Sequence, residues 1–119
     1  MEEAAADVHE HYTILREPDV MTRDGVATLV VHADGDVDLQ ACPALEDVVL
    51  QAVADPRAEA VTVDLARATF IDSAALRVLI QGYVATTEAR KGFQVVNAHG
   101  IVEEVLVVTG MLEVFNGRR

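Results

Sequence analysis

Residues 60–90 read AVTVDLARATFIDSAALRVLIQGYVATTEAR, and two periodicities meet inside them. From Ala60 to Ala66 apolar and polar residues alternate, the pattern of a strand with one buried face. From Ser73 onward the spacing becomes three and four. Leu76, Leu79, Ile80, Tyr83 and Thr87 then share one helical face, with Arg77, Gln81 and Glu88 more exposed. The same alternation extends in both directions. Upstream, HYTILRE (11–17) reads as an edge strand, VATLVVHA (26–33) as a β-branched strand and CPALEDVVLQAVA (42–54) as a helix. That helix carries Leu45, Val48, Val49 and Ala52 on one face and Pro43 in its first turn. Downstream, FQVVNA (93–98) is a third strand-like run, and IVEEVLVVT (101–109) is a helix ending at Gly110, the residue type that caps helix C-termini.

Strands that alternate with helices in one sheet run parallel through right-handed crossovers, so their C-terminal ends share one edge. Three polar segments gather at that edge: DGDVD (34–38), TFIDSAAL (69–76) and NAHG (97–100). Sites in open α/β sheets sit there. The expected fold is a single α/β domain with a small mixed sheet of about four to five strands, the central ones parallel, and helices mainly on one face. Residues 1–11, charged and Ala-rich, read as a flexible tail, and 12–116 as the domain.

The totals narrow the function. A chain of 119 residues holds one ordinary domain. Although 51% of it is hydrophobic, no apolar run approaches the roughly 18 residues of a membrane span, and the acidic start lacks the features of a secretory signal. The expectation is a cytoplasmic protein with no membrane insertion. A net charge of −11 disfavours nucleic acid and anionic lipid surfaces, and the 4% aromatic content with no tryptophan disfavours a base-stacking platform. The single Cys42 cannot form an internal disulfide. It lies at a helix start, where a thiol pKa can fall, but without a partner cysteine its first reading is structural.

The chain has eight threonines but one serine, Ser73, set between Asp72 and an apolar helix. In the plainest reading, Asp72 or Ser73 is an N-cap. In a sharper one, the free N–H groups and positive dipole end at the helix start tolerate a phosphate on Ser73, making it a switch that leaves the fold intact. In a third, Ser73 is a nucleophile with His99 as base and Asp38 or Asp72 as orienter, although IDSAA is not the Gly-x-Ser-x-Gly elbow of hydrolases. Asp36 and Asp38 supply only two nearby carboxylates, too few for a metal, and read first as turn residues. His9 and His11 read as solvated tail residues. His99 reads as a surface loop residue that could approach the serine.

TFIDSAAL also carries a resemblance. From about Asp34 to Phe115 the chain resembles the STAS domain family, the anti-sigma factor antagonists and their relatives. GDVDLQACPALEDVV is similar to the family's Gly-Glu-hydrophobic-Asp segment and first helix. VTVDLARATFIDSAALRVL is similar to its strand and Asp-Ser-Ser/Thr-Gly-Leu motif, and VNAHGIVEEVLVVTGMLEVF to its closing stretch, with the Gly-Leu-type end here written Gly110-Met111-Leu112. Ala74 and Ala75 stand where the family has Ser or Thr and then Gly.

The resemblance implies a non-enzymatic binding module. Its partner would be an anti-sigma factor that is also a serine kinase with a histidine-kinase-like ATP fold. That kinase would phosphorylate Ser73 and so end binding, and a phosphatase would reset the switch. The resemblance implies no cofactor. Around Ser73, partner contacts are expected from Asp36, Asp38, Asp72, Ala74, Ala75, Leu76 and Arg77. The alternative within the family is an accessory STAS subunit of a signalling scaffold or lipid-transport complex, in which Ser73 is only a helix cap.

Overall fold

A computed structural model describes residues 6–116. The first two strands, β1 (Ala6–Val8) and β2 (Tyr12–Arg16), form an antiparallel pair. A short β3 (Met21–Arg23) turns through Asp24 and Gly25 into the long β4 (Val26–Val37). Both turn residues have positive φ, 53° and 79°, and Asp-Gly supplies that geometry cheaply. A 3₁₀ turn (Leu39–Ala41) then leads into α1 (Cys42–Ala54), β5 (Ala60–Asp64), β6 (Ala68–Ile71) and α2 (Ser73–Glu88). The chain closes with β7 (Gly92–Val96), α3 (Gly100–Val108) and α4 (Met111–Phe115).

The sheet runs β1-β2-β4-β5-β7, with short β3 antiparallel to β4 and short β6 parallel to its end. The central strands β4, β5 and β7 are parallel and connected through α1 and α2, as the sequence pattern requires. Alternation sorts their side chains. Leu29, Val31, Ala33, Val61, Val63 and Val95 join Leu45, Val49, Ala52 and Leu79 in one core between sheet and helices. Thr28, Val30 and Thr62 point the other way, outside that core.

Several details differ from expectation. HYTILRE yields β2, but β1 covers its outer side, so β2 is not the edge; part of the expected 1–11 tail is therefore strand, and residues 1–5 lie outside the described residues. The strand VATLVVHA continues to Val37, because β6 pairs with its far end. On α2 the buried face is rotated from the one the apolar spacing suggested. It is made by Ala75, Val78, Leu79, Gly82 and Thr86, while Leu76 and Tyr83 are half-buried and Ile80 and Thr87 exposed. The cause is the packing of α1. A Cβ on Gly82 would lie 2.8 Å from Val49 Cγ1 and 3.1 Å from Phe93 Cε1, so the helices approach over the small residues. Gly110, with φ 78°, is the left-handed residue just after the α3 C-cap, Thr109, and opens α4.

Candidate functional site at the start of α2

Ser73 is the first residue of α2, exposed, at the C-terminal edge of the sheet. Asp72 is the N-cap, with extended backbone, and its Oδ1 accepts from the Ala75 N–H at 3.0 Å. Its Oδ2 accepts from the Leu39 N–H at 3.1 Å, so one carboxylate fixes both the start of α2 and the 3₁₀ turn. The Ser73 hydroxyl makes no hydrogen bond to any described residue. The reading of Ser73 as a cap is therefore corrected. A carboxylate one residue earlier reaches the N3 amide in the usual N-cap geometry, and the serine is left over.

The neighbouring acids also have structural partners. Asp38 Oδ1 accepts from the Gln40 N–H at 3.0 Å and caps the 3₁₀ turn. Asp36 Oδ1 accepts from the Thr69 hydroxyl at 3.1 Å, tying β4 to β6. Before them stands Gly35, with φ 83°, where a Cβ would collide with the His11 carbonyl oxygen. That close approach lets the Asp36 N–H donate to His11 O at 2.8 Å. His99 does not reach the serine; its Nε2 lies 2.8 Å from Ala66 O. Ser73, His99 and the two aspartates thus form no hydrogen-bonded relay, which removes the geometric basis of a nucleophilic triad. His9 and His11 are exposed, and the His9 ring stacks on Tyr12 at 4.7 Å.

Cys42 lies below the same edge, its Sγ 3.3 Å from Asp38 O as a donor. Burial pushes its thiol pKa up, and the charges of Asp72, Asp38 and Glu46 push it further, with Arg77 opposing. This corrects the expectation that a helix start would lower it: α1 begins in an acidic, partly dry corner, and that outweighs the dipole.

Of the expected partner contacts, Asp36, Asp38, Asp72, Ala74 and Leu76 are half-buried and Arg77 is exposed, all at or beside the start of α2. Ala75 is fully buried and cannot offer a contact surface; its methyl group belongs to the core. Sequence reasoning missed Leu39, 70% exposed and held beside Asp72, and the exposed apolar residues Ile80 and Val84, which continue the line of Leu76 along α2. An i, i+4, i+8 count from Leu76 would have found the last two.

A family model described as "Mlab, STAS domain" matches residues 20–115. A search of curated protein sequences finds no match. Among solved structures, the chain is similar to an anti-sigma factor antagonist from Mycobacterium paratuberculosis, with 26% identity and a TM-score of 0.62 over 97% of this chain and 83% of that one. It is also similar in fold to SpoIIAA in its unphosphorylated form, at 14% identity and TM-score 0.66 over 92% and 83% of the two chains. The phosphorylated form of SpoIIAA from Bacillus gives 13%, 0.62, 96% and 88%. With its parallel core strands, one helical layer and a family match over residues 20–115, this chain belongs to the STAS domain family.

Proposed function

We propose that this chain is an anti-sigma factor antagonist switched by phosphorylation of Ser73. The observation that carries the reading is the exposed Ser73 hydroxyl, which bonds to no described residue and stands in the first turn of a helix already capped by Asp72. A phosphate there adds about −1.5 to −2 charge at neutral pH. Next to the helix N-terminus this charge is favourable for the fold. Toward a docked partner it is unfavourable, since it must be desolvated beside Asp38 and Asp72, so the modification ends binding without unfolding the domain.

The similarity to a Mycobacterium antagonist, and to SpoIIAA in both phosphorylation states, supports this reading. The unphosphorylated protein binds an anti-sigma factor that is a serine kinase with a histidine-kinase-like ATP fold, and a phosphatase restores the binding state. Leu39, Leu76 and Ile80 give the apolar part of the contact and Arg77 a polar one. The protein acts by binding and not by catalysis, in the cytoplasm; among the described residues no helix is long and apolar enough to cross a membrane.

Intact-mass measurement on protein from its native cells, before and after phosphatase, tests the chemistry. The expected result is one phosphatase-sensitive phosphate mapped to Ser73. Ser73→Ala is expected to retain the co-purified kinase, and Ser73→Asp to weaken it by about 5–150-fold, the range of a 1–3 kcal/mol coupling. Equal affinities would remove the switch. A stable large assembly without a kinase would favour the accessory-subunit reading.

A further inference from the structure

The opposite end of the sheet carries a second polar feature. On the face away from the helices, the β3–β4 hairpin, β5 and β7 enclose an open cleft of about 540 Å³, within the range of roughly 300–1,000 Å³ typical of small-molecule sites. It lies at the N-terminal ends of the parallel strands, whereas Ser73 lies at their C-terminal edge.

The cleft combines apolar walls with three polar side chains that have no assigned work. Thr62 is only 3% exposed and lines the cleft, yet its hydroxyl bonds to no described residue. The oxygen keeps a small accessible area, and so stands open to a molecule in the cleft. Gln94 is directly paired with Thr62 in the β5–β7 register, which sets their side chains on the same face. Arg23, on the hairpin, also lines the cleft and makes no ion pair with any described residue. Val26, Ala60 and Val96 supply apolar wall.

We infer that this cleft binds a small organic monocarboxylate, with Arg23 on the carboxylate, Thr62 and Gln94 completing its hydrogen bonds, and the valines against its apolar body. Guanidinium groups match carboxylates through paired N–H donors. The net charge of −11 and the adjacent Asp24, also at the cleft, penalise a dianion. A monoanion with an apolar body fits both the charge and the walls.

The test is an amide NMR titration of the whole chain with benzoate and octanoate, with benzamide and inorganic phosphate as comparisons. Saturable shifts are expected at Thr62, Gln94 and Arg23 with at least one carboxylate, about tenfold weaker or more for benzamide, and absent for phosphate. Arg23→Gln is expected to weaken binding about tenfold or more, the scale of a charge-assisted bond. Thr62→Val, nearly isosteric, is expected to weaken it several-fold while the spectrum stays folded. The inference is overturned by no saturation with either carboxylate, by shifts mapping elsewhere, by equal binding of benzamide or phosphate, or by unchanged affinity in both variants.

Discussion

Replacing Asp72 separates its two bonds. In Asp72→Ala the α2 cap is lost, at about 1 kcal/mol, and the Leu39 N–H loses its acceptor. Hydrogen bonds to charged groups contribute about 1.5–3 kcal/mol, but the Leu39 bond is exposed, so its share is taken as about 1 kcal/mol. The sum is about 2 kcal/mol. In Asp72→Asn one amide oxygen still accepts from Ala75, while the NH₂ that replaces the second oxygen can only donate toward the Leu39 N–H. The expected cost is then about 1 kcal/mol. For a chain of this size each kcal/mol corresponds to roughly 4 °C in Tm, so losses of about 8 °C and 4 °C are expected. Urea unfolding should show lowered midpoints with unchanged slope. Amide exchange at Leu39 should quicken in both variants, and at Ala75 only in Asp72→Ala. The reasoning fails if the two variants are equally destabilised, or if Asp72→Ala is neutral.

Gly82→Ala gains about 1 kcal/mol of helix propensity but forces a methyl against Val49 and Phe93, and overpacking costs about 1–3 kcal/mol. The variant should unfold at lower urea than wild type, and a more stable variant would show that α1 and α2 part easily. At neutral pH Cys42 should react with iodoacetamide more slowly than free cysteine, and Arg77→Gln should slow it further, because Arg77 is the charge that lowers its pKa; acceleration in that variant would contradict the assignment. The hydrogen-bonded Arg57 guanidinium lowers Asp55 from 3.8 to about 2. A depressed carboxylate stabilises the fold above its unfolded pKa and loses that contribution as pH falls from about 4 to about 2. The stability difference between wild type and Arg57→Gln, about 1 kcal/mol or less for a partly exposed pair, should therefore shrink across that window in pH-dependent unfolding. A constant difference would exclude the linkage.

Helix α1 was legible to the residue, because Pro43 marks its start and its apolar positions lie on one face. The α2 face was not. Leu76, Ile80 and Val84 are as apolar as the buried set, and it is Ala75 and Gly82, with almost no side chain, that decide which side meets α1. Strands β1, β3 and β6 were invisible because three or four residues carry too little periodicity, and they exist through pairing with longer neighbours. At the candidate site, the single serine after an aspartate exposed itself in the sequence. That the aspartate would take the cap and release the serine follows only from the backbone at Asp72. The cleft on the other face was beyond reach, since Arg23, Thr62 and Gln94 are brought together by strand register alone.

The hydroxyl at position 73 bonds to no described residue, and the chain's one thiol is half-buried and donates to Asp38 O. Together these let chemistry stand in for the modification. A Ser73→Cys chain would carry one exposed sulfur on the contact surface, and a group attached there would obstruct a docking partner without removing a cap or entering the core.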